Sequence, residues 1–207
     1  MAQEDYIVME RVEGNTLNEL AYMNPDAIED NAELIARELG KHTAFSYIFG
    51  IKDGYQTNYI FNPKAKKLTR IDKEKCLSVP KDPERVFMPR NRYTQEIAEC
   101  EISNLKYIPA YRRDASREVI FRAFTSGFYE QYALFKDKKA KFLDIIKKAR
   151  DAGKDVYDVS KVSEYDRQTE EIANSVGKLI EQNPSDVLER LFTAKNEVMR
   201  GEFGEYV

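Results

Sequence analysis

The chain has 207 residues, enough for one domain of good size, and 42% of them are apolar, enough to fill a hydrophobic core. Its 33 basic and 36 acidic residues are interleaved and leave a net charge of −3. This balance excludes a whole-chain field that would attract nucleic acid or an anionic membrane. Cys76 and Cys100 show neither CxxC spacing nor a partnering histidine, which argues against a disulfide framework or a zinc site.

The sequence predicts a cytoplasmic protein without a membrane span. No apolar run approaches the roughly 18 residues of a spanning helix, and the start at Met1 lacks the basic and apolar regions of a signal peptide. His42 is the only histidine, so a Ser-His-Asp triad, a HExxH zinc site or a histidine phosphoryl relay would all have to use it. Because His42 lies inside a strong helical pattern, we interpret it as a packing or helix-surface residue.

The first third of the chain predicts a strand followed by helices. Tyr6–Met9 is a short β-rich run, residues 13–15 give a turn signal, and Thr16 begins a short helix. Residues 24–26 combine a capping asparagine with a proline in the first turn. Apolar residues then recur at helical spacing, which predicts one long helix that ends at Gly50.

A polar loop and a small hairpin follow this helix. Residues 51–58 show no periodicity, and residues 59–61 and 68–71 are apolar enough to form two short strands around a turn. The second strand leads into Asp72. The loop would therefore lie between a buried helix and a hairpin, and polar residues on such rigid supports are well placed for chemistry.

The rest of the chain is predicted to be helical. Residues 73–93, rich in proline and charge, predict an extended surface segment. The amphipathic stretches run near residues 94–105, 115–135, 137–152, 163–182 and 185–200. An aromatic stripe in the second stretch predicts a buried helix face; it contains Phe121, Phe124, Phe128, Tyr132 and Phe135. The predicted fold class is α+β, predominantly α-helical, divided into residues 1–22, 23–152 and 153–207.

Three polar residues around the hairpin have the spacing of a phosphoryl-transfer site. Such a site needs a carboxylate near the acceptor hydroxyl and oxygen ligands that hold Mg²⁺ against the nucleotide phosphates. In the kinase pattern, a catalytic aspartate is followed five positions later by an asparagine, and a hairpin then delivers a metal-binding aspartate. Asp53 and Asn58 have this spacing, and Asp72 ends the predicted hairpin. One turn of chain would then assemble a cation site.

On these residues the chain resembles the protein-kinase-like superfamily, and more closely its aminoglycoside, choline and lipid kinase branches. Residues 6–14 resemble the fifth strand and hinge, residues 39–53 the helix that leads into the catalytic loop, and residues 71–74 the metal-binding segment. The helices after residue 115 resemble the family's helical tail. The resemblance covers roughly residues 6–135 and implies a kinase-like carboxyl-terminal lobe, with a small β-hairpin at the catalytic loop and a helical tail.

The resemblance also implies a role for each residue of the loop. Asp53 would be the catalytic base, and Asn58 and Asp72 would bind Mg²⁺, with Asn58 also part of the nucleotide site. Lys52 would take the place of the lysine that protein kinases carry within the loop to help the transferred phosphate. The implied activity is ATP-dependent phosphate transfer to an unknown acceptor.

The adenine of ATP would meet backbone groups near Glu10 and Val12, by the same resemblance. Two positions depart from the family's pattern. Lys52 directly precedes Asp53, where the family usually has His-Arg or His-Gly, and Glu74 replaces the glycine of Asp-Phe-Gly. A complete kinase also has an amino-terminal lobe with a phosphate-binding lysine. We expect that lobe to come from a larger protein or from a partner chain, and a homo-oligomer is the alternative assembly.

Two other classes of function remain open from the sequence. A pseudokinase-like scaffold would keep the lobe without its chemistry and would be indifferent to Asp53→Asn. A helical protein-interaction module would dock a partner through its long amphipathic tail and would be indifferent to Asp72→Ala.

Overall fold

The structure is a computed structural model that describes residues 12–71, 77–83, 91–153 and 162–203. These residues are mostly helical with one three-stranded antiparallel sheet, which confirms the predicted α+β, predominantly helical class. The predicted strand at Tyr6–Met9 lies outside the described residues, and so do most of residues 73–93. The division into three domains stays a prediction.

The elements follow the predicted order, with eight helices in the described part of the chain. The strands are β1 (Asn15–Thr16), β2 (Tyr59–Asn62) and β3 (Lys67–Arg70), paired in the order β1-β2-β3. The helices are α1 (Leu17–Met23), α2 (Pro25–Glu29), α3 (Ala32–Phe49), α4 (Arg92–Glu101), α5 (Asp114–Asp137), α6 (Lys139–Gly153), α7 (Val162–Glu181) and α8 (Pro184–Phe203). Two short 3-10 segments, Ile102–Tyr107 and Pro109–Arg112, join α4 to α5.

Capping residues set the starts of the first two helices. Thr16 and Glu19 form a capping box, in which the Thr16 amide donates to the Glu19 carboxylate at 2.8 Å and the Glu19 amide donates to the Thr16 hydroxyl at 3.1 Å.

The predicted single helix from residue 24 to Gly50 was wrong at one point, because it is broken into α2 and α3. The Asn31 side chain donates to the Ala27 carbonyl at 2.9 Å, and the Asn31 backbone is not helical.

The end of α3 was predicted correctly. Gly50 caps the helix with a φ of +62°, a left-handed conformation that glycine adopts without strain, and the Ile51 amide returns to the Ser46 carbonyl at 3.0 Å. A Cβ atom at Gly50 would also lie less than 3.0 Å from the Ser78 backbone. This cap turns the chain directly into the loop that holds Asp53.

The core is built where α3 crosses α5. The two helices meet through Gly40 and Gly127, and an added Cβ atom at either position would lie less than 3.0 Å from backbone of the other helix. Such a close approach lets the surrounding apolar side chains interlock. Buried residues of α7 and α8, such as Val176 and Leu191, belong to the same apolar cluster.

The aromatic stripe of α5 is buried as predicted, except at its first member. Phe124, Phe128, Tyr132 and Phe135 have no exposed surface, whereas Phe121 is 38% exposed. Phe121 lies at the edge of the core against Phe192 of α8, with ring centroids 5.0 Å apart.

His42 is partly buried and packs against β2, in agreement with its structural interpretation. Its ring lies edge-on to the Tyr59 ring with centroids 5.3 Å apart. In the part of the chain that the structure describes, no helix combines the length and the apolar character that crossing a bilayer would require.

Four tyrosines in this core should make the protein sensitive to alkali. Burial raises the pKa of Tyr47 to about 12, and it also raises the pKa of Tyr59, Tyr93 and Tyr132. The folded state therefore holds protons that the unfolded chain releases above about pH 10. We expect stability to be unaffected by these groups below that pH and to fall above it, by roughly 1.4 kcal/mol per pH unit for each tyrosine.

Urea unfolding across the alkaline range would measure this loss. Tyr132→Phe removes one of the four titrating groups. It should therefore reduce the slope of the free energy of unfolding against pH by the equivalent of about one proton. Tyr22→Phe is the control, because Tyr22 is 82% exposed and should leave the slope unchanged. The same dependence of unfolding free energy on pH in the unchanged protein, Tyr132→Phe and Tyr22→Phe would contradict the prediction.

Candidate functional site

The loop after α3 is closed on itself by Asn58. The Asn58 side-chain amide donates to the Asp53 backbone carbonyl at 2.9 Å, and the Asn58 backbone amide donates to the Tyr55 carbonyl at 2.8 Å. The amide nitrogen is therefore committed to loop closure. Among the described residues, the Oδ1 atom of Asn58 receives only a long contact of 3.5 Å from the Thr57 hydroxyl, which leaves this oxygen able to bind a ligand.

The Asp53 carboxylate is partly buried at the start of this loop. No hydrogen bond or ion pair with any described residue engages it. A carboxylate that accepts no hydrogen bond from a described residue, on a loop whose backbone is fixed, is available to a substrate.

The hairpin returns to the same loop. β2 and β3 pair in a register that sets Tyr59 opposite Arg70, and the next amide, that of Ile71, donates to the Asn58 carbonyl at 2.9 Å. The described residues break off after Ile71 and resume at Leu77, so Asp72 lies outside them. Asp72 is nevertheless bonded to a residue whose backbone is tied to Asn58.

Helix α4 and the 3-10 segment that follows it hold the loop backbone. The Asn104 side-chain amide donates to the Gly54 carbonyl at 2.6 Å and to the Cys100 carbonyl at 2.9 Å, and the Cys100 thiol donates to the Lys52 carbonyl at 3.1 Å. Burial raises the pKa of Cys100, which keeps the thiol protonated as a donor. These bonds fix the path of the chain on both sides of Asp53.

A buried ionic network lies beneath the loop. The Glu101 carboxylate accepts hydrogen bonds from Ser46 at 2.6 Å, from Arg70 at 2.6 Å and from the Tyr59 hydroxyl. The side chains of Arg70 and Glu101 are completely shielded from solvent. Gly54 lies directly above Glu101, and a Cβ atom at Gly54 would lie less than 3.0 Å from the carboxylate. The network therefore joins α3, both hairpin strands and α4 at the base of the loop.

The electrostatics of this network follow from its burial. Loss of solvent raises the pKa of Glu101, although Arg70 and the hydrogen bonds oppose that shift. For Arg70, burial works against the charged form, but Glu101, Tyr59 and Asp53 together hold its pKa above the usual value. The Nε and Nη2 atoms of Arg70 are buried and find no hydrogen-bond partner among the described residues. Keeping Arg70 charged in this buried position therefore costs folding free energy, and the Glu101 carboxylate offsets part of that cost.

The Lys52 ammonium contacts two residues of α4. Its ammonium lies 2.7 Å from the Glu96 carboxylate and 5.6 Å above the centre of the Tyr93 ring. Burial would raise the pKa of Glu96, but the hydrogen bonds from Lys52 and Arg92 outweigh it and lower that pKa. This placement fits a structural role, and the catalytic role predicted for Lys52 stays a prediction.

The predicted nucleotide and metal residues are only partly within the described chain. Val12 is partly buried in an irregular segment before β1, and Glu10 lies outside the described residues. Among the residues that the structure describes, no group of three or more His, Cys, Asp or Glu side chains could hold a metal ion. The loop does offer the Oδ1 atom of Asn58. A single oxygen of this kind fits Mg²⁺, which often takes one or two protein ligands and fills its shell with phosphate and water.

The supporting residues were missed in the sequence, although each left a signal. Arg70 is two residues after the buried Leu68 on β3, so both side chains lie on the inward face. Glu101 is four residues after the buried Ile97 on α4, which places both on one helix face. A charged residue at a core position of each element could have predicted a buried ion pair.

Comparisons with protein-family models, with curated proteins and with solved structures found no match to this chain.

Proposed function

We propose that the chain is a kinase-like phosphotransferase lobe that binds Mg-ATP and transfers its terminal phosphate to an acceptor hydroxyl. The observation that carries this proposal is the closed loop. The Asn58 amide holds the Asp53 carbonyl at 2.9 Å, while the Asn58 Oδ1 atom and the Asp53 carboxylate remain available. The bond from Ile71 to Asn58 brings the hairpin end, which leads into Asp72, to the same turn.

The chemistry asked of these residues is modest. The acceptor oxygen attacks the γ-phosphorus, the bond between that phosphorus and the oxygen of the β-phosphate breaks, and ADP leaves with the electron pair. Asp53 accepts the proton of the acceptor hydroxyl and later releases it to water. Asn58 and Asp72 would hold Mg²⁺, which supplies charge neutralisation at the phosphates.

The rigid mounting of the loop also supports the proposal. Catalysis of this kind depends on positioning, and the carbonyls of Lys52 and Gly54, which flank Asp53, are each bonded to a side chain of α4 or of the segment that follows it. Gly54 has no space for a side chain over Glu101. The loop is therefore held by features that a simple connection between a helix and a strand would not need.

The first test is calorimetric titration of ATP into the full chain with and without Mg²⁺. We expect binding that requires Mg²⁺ and that Asp72→Ala weakens at least about tenfold, which corresponds to 1.4 kcal/mol. Asp53→Asn should retain nucleotide binding, because Asp53 acts on the acceptor. Absence of binding at millimolar ATP would exclude a stand-alone nucleotide site.

Transfer itself would be followed with γ-labelled ATP and a mixture of small alcohols. Asp53→Asn should lower the rate by about 10²–10⁴-fold, the usual contribution of a general base. Asp137→Asn is the matched control, because Asp137 is an exposed carboxylate at the end of α5 and should leave the rate unchanged. An equal loss of transfer rate in Asp53→Asn and Asp137→Asn would show a general effect of negative charge and would contradict a specific role for Asp53.

A second candidate, a pseudokinase-like scaffold or helical interaction module, is favoured by two observations. Lys52 is engaged by Glu96 and Tyr93 of α4. Tyr22 and Met23, at the end of α1, are 82% and 76% exposed and offer an apolar surface to a partner. A chain that binds no nucleotide and is indifferent to both Asp53→Asn and Asp72→Ala would establish this alternative.

A further inference from the structure

Three consecutive carbonyls of the Asp53 loop each accept a hydrogen bond from a side chain. Residues 51–55 belong to no helix or strand, so side chains take the place of a regular hydrogen-bond ladder there. We call these three bonds the carbonyl clamp; they run from Cys100 to Lys52 at 3.1 Å, from Asn58 to Asp53 at 2.9 Å and from Asn104 to Gly54 at 2.6 Å.

The carbonyl clamp fixes the direction in which the Asp53 side chain leaves the loop. A bond to a carbonyl holds the whole peptide plane, because the peptide bond is planar. The plane before Asp53 carries the Lys52 carbonyl, and the plane after it carries the carbonyl of Asp53 itself, so both of its backbone dihedrals are restrained. The next plane carries the Gly54 carbonyl, at a residue whose backbone is otherwise the most permissive in the loop.

Asn104 makes the most protected bond of the carbonyl clamp. Asn104 is 1% exposed and Gly54 is buried, so solvent does not compete for this bond and cannot replace it. The thiol of Cys100 is a weaker donor than an amide. Asn58 belongs to the proposed metal and nucleotide site, whereas Asn104 comes from the 3-10 segment Ile102–Tyr107, outside the loop.

The Asn104 amide is also held at its other hydrogen. It donates to the Cys100 carbonyl at 2.9 Å, which satisfies a carbonyl in the last turn of α4. This bond orients the side chain and directs the second N–H at Gly54. Because both amide hydrogens are used on backbone, Asn104 acts on the loop and not on a substrate.

We propose that Asn104 is a positioning residue for phosphate transfer, which holds the Gly54 carbonyl and thereby directs the Asp53 carboxylate at the acceptor hydroxyl. The inference rests on the proposed function and assigns a role in it to a residue outside the loop. No bond to Asn104 forms or breaks in the reaction. Its contribution is to fix the geometry of Asp53 before the substrates bind.

Hydrogen exchange measures the hold on the loop independently of any activity. The amides of Asn58 and Ile71 donate to the carbonyls of Tyr55 and Asn58, so their exchange reports opening of the loop. Asn104→Leu has a similar volume and lacks both donors. We expect these two amides to exchange at least about tenfold faster in the variant, relative to the amides in the middle of α3.

A second variant isolates the bond to Gly54 and disturbs the fold less. Asn104→Ser keeps one donor, and a serine hydroxyl commonly donates to the carbonyl four residues earlier, here that of Cys100. Thr43 and Thr169 make such bonds in this protein, at 2.8 and 2.9 Å. Asn104→Ser should therefore keep the bond at the end of α4 and still release the loop amides.

Asn31→Leu is the matched control. The Asn31 side-chain amide also donates to a backbone carbonyl, that of Ala27 at 2.9 Å, but it lies before the first residue of α3, about 27 Å from the end that leads into the loop. The exchange of the Asn58 and Ile71 amides, relative to the middle of α3, should stay unchanged in this variant. Equal relative exchange in Asn104→Ser, Asn31→Leu and the unchanged chain would overturn the inference.

The transfer assay with γ-labelled ATP then separates positioning from mere support of the fold. We expect Asn104→Ser to lower the maximal rate by about 10²-fold, the usual cost of a misplacement near 1 Å, and to leave the KM for ATP within about twofold. Faster loop exchange with an unchanged maximal rate would overturn the positioning role. A proportional rise in KM without a loss of maximal rate would overturn it as well.

Failure of the proposed function gives a different result. An unchanged chain that binds no Mg-ATP and transfers no phosphate would overturn the phosphotransferase and the positioning role with it. Faster loop exchange in Asn104→Ser would then leave the carbonyl clamp as a structural feature. Transfer by the unchanged chain, together with equal loop exchange in the variant, would leave the phosphotransferase and remove Asn104 from it.

Discussion

Glu101→Ala should lower the free energy of unfolding by about 3–5 kcal/mol, the largest single effect that we expect in this protein. The variant would leave the Arg70 guanidinium buried without a counter-ion and would remove the acceptor of the Ser46 and Tyr59 hydroxyls. Urea unfolding followed by circular dichroism would measure the change.

The double variant Arg70→Met with Glu101→Leu tests the reason for that loss. Because apolar residues can replace both members of a buried pair, we expect much of the stability to return. The change would also remove two buried nitrogens of Arg70 that find no hydrogen-bond partner among the described residues. If the double variant were as unstable as Glu101→Ala, shape rather than charge would explain the loss.

An exposed pair provides the control. Arg37 and Glu130 lie 2.8 Å apart, and about half of each side chain is exposed. Solvent screens such a pair, so Glu130→Ala should cost less than about 1 kcal/mol. A similar loss for Glu130→Ala and Glu101→Ala would contradict the importance of burial.

Gly127→Ala should destabilise the protein by about 3 kcal/mol, the upper end of the usual cost of overpacking a core. The new methyl group would meet the Arg37 carbonyl of α3 at less than 3.0 Å, and backbone cannot move aside as a flexible side chain can. The loss should appear despite the gain of about 1 kcal/mol that alanine brings to a helix interior. Gly40→Ala should behave in the same way from the opposite helix.

Gly177→Ala on α7 is the matched control for the helix crossing. There the nearest atom to a new Cβ is the flexible Lys139 side chain, 3.5 Å away. We therefore expect a gain of up to about 1 kcal/mol from helix propensity. A stabilising effect of alanine at both Gly127 and Gly177 would show that α3 and α5 do not approach as closely as described.

These variants also bear on the proposed site. The Glu101 network and the Asn104 bond act on backbone around Asp53, so a stable double variant at residues 70 and 101 allows loop support to be separated from stability. If such a variant unfolds normally but transfers phosphate more slowly, Arg70 and Glu101 are positioning residues. An unchanged rate would limit their role to folding.

Most of the element order could be predicted from the sequence because local signals specify it. The Thr16 cap, the left-handed Gly50 and the two apolar strands of the hairpin are each encoded within a few residues, and their ends agree with the structure to within one or two positions. The break between α2 and α3 was missed because it depends on one side-chain bond from Asn31 to Ala27 within an otherwise helical pattern.

The sequence by itself determined the helical class, the hairpin and the spacing of Asp53 and Asn58, since periodicity and short-range caps are properties of neighbouring residues. Only the tertiary structure decided what surrounds that loop. Periodicity can place a charged residue such as Arg70 or Glu101 at a core position, but it does not show which distant residue it contacts, as in the pairs Arg70–Glu101 and Asn104–Gly54. They form because a buried charge and a buried carbonyl must each find a partner, and the packing of α4 against the loop supplies it.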